Sequence, residues 1–436
     1  MIEVFSLYLQ LITFVIIFQF PLNTVILNKY SLLKFDYFGV LILNIIIHSF
    51  LYLIISFTLI NLQIYFFLQV FLGIVFLIFN SLFFFKNSKI TLNDNISLLI
   101  IFLLLNMILF THIALNLKIE WDGLAHWIYK AQVYFQGGTF SDIKNVPFSY
   151  YPQFGTFLWG FFWKNSFLQL EYIGRLIVPF FYLSGILFCI SDLFKKENLF
   201  LKVLLLLLIV TLTLDYYLLG GYQDYYLFFE LLIFSKLFYI YQKKNSTFLF
   251  MLLFLDLVLI LWTKQEGFFY NIILTIIFLI FCNKNYKTRF LFFILIALSL
   301  LLQIYLKNIF IGSFEFNEKI LHDDLLKYLH ITNIFETFML ISKHIIISMF
   351  RYPIWILIIL ILFFSQVLNT NNKLFKFSIV YLVIFFTFVY AIYFQTAMDL
   401  NFLLPITIDR ILLQGSGFMI FPVLSFFKKF IEKKDN

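Results

Sequence analysis

The sequence predicts an all-α polytopic membrane protein, with about 13 transmembrane helices and an amphipathic surface helix in a long outer loop. Of its 436 residues, 63% are hydrophobic, 22% are aromatic and only 12% are charged, which is far more apolar surface than a soluble domain needs. Apolar runs of about 17 to 25 residues recur along the chain, and each can cross roughly 30 Å of hydrocarbon as a helix. The sequence lacks the alternating apolar and polar pattern that is typical of a membrane β-barrel.

The predicted spans are the apolar segments of sufficient length, with boundaries uncertain by a few residues. They lie near residues 4–27, 37–60, 61–85, 96–117, 170–190, 200–216, 223–241, 246–262, 266–282, 290–312, 345–368, 377–396 and 410–427.

Basic residues mark one side of this topology. With these spans, the short loops that hold most of the lysines all fall on the same side, which the positive-inside rule makes cytoplasmic. These residues are Lys29, Lys34, Lys86, Lys89, Lys195, Lys196, Lys243, Lys244, Lys284, Lys287, Arg289, Lys373, Lys376 and, in the tail, Lys428, Lys429, Lys433 and Lys434. The net charge of +8 therefore reflects topology and gives no reason to expect a nucleic-acid partner. The N-terminus is predicted outside, and both cysteines near cytoplasmic span ends, where we expect no structural disulfide.

The opposite, outer face holds the unusual motifs. The first is Glu120-Trp-Asp-Gly-Leu-Ala-His-Trp, which continues to Gly137 and Gly138. Helical spacing puts Asp122, His126 and Lys130 on one polar stripe that faces away from lipid, and places Trp121 on an apolar stripe. The segment is thus predicted to be an amphipathic surface helix that ends at the two glycines. Asp122 is either a general base or only a helix cap, and Lys130 either meets a phosphate or snorkels.

Two aromatic motifs follow on the same face. Tyr150-Tyr-Pro-Gln153 precedes a short apolar stretch and is read as a helix start with interfacial anchors, or as a site for a sugar. Gly220-Gly-Tyr-Gln-Asp224 stands at the outer end of a span, where Asp224 is either a helix cap or a site residue. Adjacent glycines allow close backbone approach, and the aromatic rings there suit sugar faces.

Three charged segments complete the outer face. Thr263-Lys-Gln-Glu-Gly267 interrupts a long apolar stretch, and is either a turn between spans or a functional pair of charges. A stretch from Glu315 to His330 is acidic and contains histidines, so it could supply metal ligands or form a solvated helix. Asp409-Arg410 precedes the last predicted span, with Gln414 one turn on, and the arginine is either an interfacial anchor or a phosphate clamp.

In order and sidedness these motifs resemble the outer-face pattern of bacterial glycosyltransferases of the GT-C superfamily, related to the protein O-mannosyltransferase and the lipid A aminoarabinose transferase. The matched pieces are Trp121-Asp-Gly with His126-Trp and Lys130-Ala, Tyr151-Pro, Gly221-Tyr-Gln-Asp, Thr263-Lys-Gln-Glu-Gly and Asp409-Arg-Ile-Leu-Leu-Gln. The resemblance covers residues 96–427, so it implies N-terminal transmembrane helices at 1–95, a GT-C-like catalytic domain at 96–427 with an outer loop at 118–165, and a basic cytoplasmic tail at 428–436. Two features depart from the family pattern. The proline pair that the family has after its first outer loop is replaced here by Tyr151-Pro-Gln. Three predicted spans precede the span that leads into the loop at 118–165.

The resemblance implies inverting transfer of a hexose or pentose from a polyprenyl-phosphate donor to a lipid or glycan acceptor, at the outer face of a bacterial plasma membrane. Asp122 matches the catalytic base and Asp224 the second acidic site. The donor phosphate would meet Lys130, Lys264 and Arg410, and sugar or acceptor contacts would come from Trp121, His126, Tyr151 and Tyr222. A divalent cation, Mg or Mn, would be held by Glu120 and Glu266. We expect Asp122, Asp224 and Lys264 to converge at the outer face.

Two other functions fit the composition. A polymerase or ligase of lipid-linked glycans would use outer loops rich in arginine, whereas the outer arginines here are few, namely Arg175, Arg351 and Arg410. A transporter or flippase of lipid-linked sugars would place charges near the bilayer midplane and show repeat symmetry. Asp256 and Lys236 are the candidates for such charges, and the sequence shows no repeat.

Overall fold

The computed structural model describes residues 2–23, 35–86, 93–193, 198–282, 286–312, 331–367, 373–396 and 399–434. Over these ranges its elements are helices. They are α1 Ile2–Ile17, α2 Tyr37–Ile55, α3 Leu62–Lys86, α4 Asn93–Leu115, α5 Ile128–Gln136, α6 Phe154–Lys164, α7 Glu171–Arg175, α8 Ile177–Ser191, α9 Leu199–Thr213, α10 Asp224–Lys244, α11 Thr247–Thr263, α12 Glu266–Phe281, α13 Tyr286–Phe310, α14 Ile331–Arg351, α15 Ile354–Val367, α16 Lys373–Gln395 and α17 Leu400–Lys434.

Seven helices within the described ranges are long and apolar enough to cross a membrane, or up to eight if a bent pair is counted as one span. Four further apolar helices, α1, α9, α11 and α12, are shorter than 18 residues. An all-helical integral membrane protein is therefore confirmed, while the larger number of predicted spans and their orientation stay predictions. One predicted span, residues 345–368, is not a single straight helix. Helices α14 and α15 meet there at 95°, beside Tyr352 and Pro353.

Helix α10 is the centre of the bundle. It packs most extensively against α17, α11 and α8, and its residues from Asp224 to Phe238 are all buried. A helix that is buried on every side has no need of an apolar stripe. Its N-terminus, where Asp224 is the first residue, lies at the end of the bundle that carries the outer-face motifs.

The amphipathic segment of the outer loop is helical as predicted, but its first part is a π-helical turn, Gly123–Trp127, which leads into α5. Single π turns of this kind are frequent at functional sites, since the wider turn re-aims the side chains that follow. Helix α5 ends at Gly137, whose left-handed backbone (φ 95°) closes the last turn. Helix α6 begins at Phe154, two residues after the proline that was predicted to start it.

Several sequence predictions lie outside the described residues. The acidic segment from Glu315 to His330 is one of them. So are the basic loop residues Lys29, Lys34, Lys89, Lys195, Lys196 and Lys284. The two cysteines lie in described parts of the chain, at the end of α8 and just after α12, where both are free and buried.

Candidate functional site

Four charged side chains from four separate segments meet at one end of the bundle. Arg410 on α17 donates from Nη2 to Asp122 Oδ2 at 2.5 Å and to Asp224 Oδ2 at 3.1 Å. Lys264, in the turn between α11 and α12, donates to Asp224 Oδ1 at 3.0 Å. The convergence of Asp122, Asp224 and Lys264 that was expected from the sequence is thus present in the structure. We call these four residues the charge cluster.

Asp224 is the hub of the charge cluster. Its side chain is fully buried, and it accepts hydrogen bonds from Lys264, Arg410 and the side-chain amide of Gln414. It is the first residue of α10 rather than its N-cap, so the capping interpretation does not apply. The positive end of the helix dipole and two cations stabilise its charge in a place that excludes water.

Arg410 joins the two acids because its guanidinium is a planar fork with several donors. Nε lies 3.3 Å from both oxygens of Asp224, while Nη2 reaches Asp122. The guanidinium also lies over the ring of Tyr222, 4.5 Å from its centroid. The sequence placed Arg410 just before a helix, but α17 begins ten residues earlier, at Leu400. Arg410 and Gln414 are therefore one helical turn apart on the same face.

Close backbone packing brings Asp122 to Asp224. The amide of Glu120 donates to the carbonyl oxygen of Gly220 at 2.9 Å. A Cβ on Gly123 would lie 2.7 Å from that same oxygen and 3.3 Å from Cα of Gly221. Gly221 itself has a left-handed backbone, with φ at +105°. Glycine is required here because two backbones touch and one of them has a positive φ.

The polar stripe of the surface helix faces the protein interior. Asp122, His126 and Lys130 are all buried, whereas Trp121 on the other stripe is 63% exposed. Asp122 makes no side-chain capping bond, so the capping interpretation fails for it as well. Burial lowers the pKa of His126 to about 4, although the charge of Asp122 opposes that shift. His126 is therefore neutral at physiological pH.

Aromatic side chains surround His126. Its ring contacts those of Trp121, Phe148 and Tyr151, with centroids 5.3, 4.0 and 5.1 Å away. The predicted sugar-contact residues fall into two places: Trp121, His126 and Tyr151 form one aromatic group, and Tyr222 lies under Arg410.

Lys130 is not part of the charge cluster. Its ammonium donates to the carbonyl oxygen of Tyr151 at 3.1 Å and lies 5.2 and 5.5 Å from the rings of Trp127 and Tyr151. The side chain is fully buried, so the snorkelling interpretation is wrong. Burial, and secondarily the charge of Lys307, hold its pKa well below the usual range.

Glu120 and Glu266, the tentative metal ligands, each pair with a lysine. Glu120 Oε2 lies 3.0 Å from Lys118 Nζ, and Glu266 Oε1 lies 2.9 Å from Lys264 Nζ. In the described part of the chain, no three His, Cys, Asp or Glu side chains are grouped as a metal site would require. Both residues proposed as ligands are thus engaged by lysines, and their binding of a divalent cation stays a prediction.

A second ionic network, which sequence reasoning missed, lies beside the charge cluster. Arg351, at the end of α14, donates to Asp409 at 2.6 Å and to Asp215 at 3.2 Å. Tyr352 donates to Asp215 at 2.7 Å, and Ser348 donates to Asp409. Asp409 and Arg410 are sequence neighbours, so the bend between α14 and α15 is tied directly to the helix that carries Arg410. In the sequence, only the adjacency of Asp409 and Arg410 could have indicated this link between the bend and α17, since neither Arg351 nor Asp215 belongs to a motif.

A small crevice lies next to the charge cluster. Glu120 and Gly220 contribute to its wall together with residues from α4 and with Arg175 at the end of α7, and Asp122 is not among its lining residues. No family model, curated protein or solved structure matches this chain.

Proposed function

We propose that the protein is a membrane glycosyltransferase, which transfers a sugar from a polyprenyl-phosphate donor to an acceptor on the non-cytoplasmic face, in the synthesis of a cell-surface glycan or glycolipid. The observation that carries the proposal is the meeting of two acids, Asp122 and Asp224, with two cations, Lys264 and Arg410. These residues come from four of the five sequence motifs whose order resembles that of GT-C enzymes.

The proposed reaction is a single displacement at the anomeric carbon. An acceptor hydroxyl gives its proton to Asp122 while its oxygen bonds to the anomeric carbon. The bond from that carbon to the phosphate oxygen breaks, and its electron pair leaves with the polyprenyl phosphate. Asp122 can play this part because Arg410 engages only its Oδ2. Its Oδ1 makes no hydrogen bond to the described part of the chain and can accept from the substrate.

The two cations supply the electrostatic stabilisation that a leaving phosphate needs. In the charge cluster they are balanced by carboxylates: Arg410 by Asp122 and Asp224, and Lys264 by Asp224 and Glu266. Glu266 is the most exposed of these partners, at 25% of its side chain. We expect the phosphate to displace Glu266 from Lys264, since the buried Asp224 cannot leave without breaking its hydrogen bonds to three side chains.

The product that would identify this reaction is free polyprenyl phosphate. Purified protein in nanodiscs is incubated with polyprenyl-phosphate hexoses and pentoses, one donor at a time, together with a total lipid and glycan extract as acceptor. The proposal predicts that at least one donor is converted to free polyprenyl phosphate and a glycosylated product. Conversion of none of the donors would contradict it.

A transporter of lipid-linked sugars is the second candidate. One observation favours it, namely the buried carboxyl of Asp256, which lies within the bundle with no hydrogen-bond partner in the described part of the chain. Transporters place such groups near the bilayer midplane. A transporter would move the donor across a vesicle membrane without consuming it, so the same experiment, done with sealed proteoliposomes, separates the two functions.

A further inference from the structure

Two carboxyl groups lie in the interior of the bundle, below the charge cluster. Glu230 is on α10 and Asp256 is on the adjacent α11, and their side chains are 2% and 1% exposed. The two helices pack closely along their length. Asp256 lies seven residues before Thr263, and therefore two turns, or about 10 Å, further into the bundle on the same face of α11.

Neither carboxyl has a cation as partner among the residues that the structure describes. Both oxygens of Asp256 lack a hydrogen-bond partner there. Lys236, a buried cation on α10, is already paired with Asp192 at 2.6 Å and donates to the carbonyl oxygen of Phe188. An ionised carboxylate in such a place costs far more free energy than a neutral carboxylic acid. Two that interact with each other cannot both stay ionised.

The hydroxyl of Thr263 connects Glu230 to the backbone of α11. Thr263 Oγ1 lies 2.8 Å from the carbonyl oxygen of Leu259, and 2.8 and 3.1 Å from the two carboxyl oxygens of Glu230. A hydroxyl has one hydrogen to donate and two lone pairs that accept. That hydrogen can go to Glu230 or to Leu259, and with Leu259 as its acceptor, as is common for threonine in a helix, a protonated Glu230 supplies the second hydrogen bond.

A third polar group lies in the same region. The hydroxyl of Tyr226 is buried and has no hydrogen-bond partner in the described part of the chain. It is one helical turn from Glu230 on α10 and interacts electrostatically with it. The region therefore holds three oxygen-bearing side chains with unused hydrogen-bonding capacity, and buried polar groups of this kind are few in folded proteins and call for an explanation.

We infer that Glu230 and Asp256 form an intramembrane proton-binding site, which is protonated at neutral pH and is linked to the charge cluster through Thr263. The link is short, because Thr263 contacts Glu230 and is followed directly by Lys264, which binds Asp224. The ligand is the proton itself, taken up by a carboxylate oxygen and released from it. The inference does not depend on the proposed glycosyl transfer and holds equally for a transporter.

Infrared spectroscopy of the full-length protein in lipid tests this directly. A protonated carboxyl group gives a C=O stretching band that shifts to lower frequency in D₂O, whereas a carboxylate gives none. We expect this band in the wild type at pH 7. Glu230→Gln and Asp256→Asn should each weaken the band, and the double variant should weaken it more than either alone, leaving only what other carboxyls contribute, such as Asp36, whose Oδ2 is buried. Asp399→Asn is the control and should leave the band unchanged, because the Asp399 side chain is exposed.

A further variant keeps the test decisive if the glutamine or asparagine variants do not fold. Thr263→Val keeps the shape of the side chain and removes only its hydroxyl, so the Glu230 band should move in frequency but persist. Absence of the band from the wild type at pH 7 would overturn the inference whatever the variants do. So would a band that survives unchanged in the double variant.

Discussion

Asp122 and Arg410 are 288 residues apart in the sequence, yet Asp122 Oδ2 lies 2.5 Å from Arg410 Nη2. The same guanidinium holds Asp224 at 3.1 Å. The loop that carries Asp122 and helix α17 are thus joined through one side chain, and α10 at the centre of the bundle is joined to both. The proposed base is held in place by an arginine that a lysine could not replace, because only the planar fork reaches both acids.

The buried ion pairs of the charge cluster should contribute to stability. Removing one partner from a buried pair leaves an uncompensated charge, and typically costs about 3–5 kcal/mol. We therefore expect Asp224→Asn and Arg410→Met each to lower the free energy of unfolding strongly. The double variant should lose less than the sum of the two, as measured by reversible denaturant unfolding in mixed micelles.

The control for this cycle is Lys118, an exposed side chain that pairs with the largely buried Glu120. Lys118 is 66% exposed, so Lys118→Met should change the free energy of unfolding by less than about 1 kcal/mol. Strict additivity of the two charge-cluster variants would show that Arg410 and Asp224 do not interact in the folded protein.

Glycine at position 221 should be needed for the approach of Asp122 to Asp224. Alanine there would meet a positive φ of +105° and place Cβ 2.8 Å from the ring of Trp159. Gly312 has nearly the same φ, +104°, and nothing within 4 Å. Gly221→Ala should therefore lower both the melting temperature and activity, while Gly312→Ala should show only the backbone strain, of about 1 kcal/mol. Equal losses in the two variants would mean that the close packing at Gly221 is unimportant.

His126 should make stability fall in mild acid. Its folded-state pKa of about 4 lies below the ordinary value of 6.5, so between these pH values the unfolded chain binds a proton that the folded chain does not. Stability should therefore decrease as the pH falls from about 6.5 to about 4. His126→Gln should lose less stability over this window than the wild type, as followed by thermal unfolding at each pH. Parallel curves for the two proteins would contradict the burial of a neutral imidazole.

The bend between α14 and α15 should affect the site through Arg351. This side chain is 52% exposed, so Arg351→Gln should have little effect on stability. It should nevertheless lower activity, by up to about 100-fold, because Asp409 and the adjacent Arg410 lose a fixed position. Arg351→Lys should recover part of the activity, as measured by initial rates. Wild-type rates in Arg351→Gln would show that the second ionic network is independent of the site.

The sequence predicted the helical membrane fold because composition and apolar run length depend only on local residues. It also singled out Asp122, Asp224, Lys264 and Arg410, each by its motif. It could not show that Arg410 pairs with two acids, because that depends on how distant helices pack. The predicted start of the last span was wrong because two adjacent charges, Asp409 and Arg410, are typical of a span boundary. In the structure both charges are paired and lie within α17. Spacing also could not show that Lys130 is buried, since it does not indicate whether a polar stripe is covered by protein.

The central claim is that Asp122 takes the acceptor's proton. It is tested most directly by Asp122→Asn in the polyprenyl-phosphate assay, with Asp399→Asn as the matched control. Asp399 is an exposed carboxylate that caps the backbone at Asn401, a role that asparagine also fills. We predict that Asp122→Asn folds and inserts but lowers the release of polyprenyl phosphate by about 10²–10⁴-fold, while Asp399→Asn keeps the wild-type rate. Wild-type activity in Asp122→Asn would contradict the mechanism.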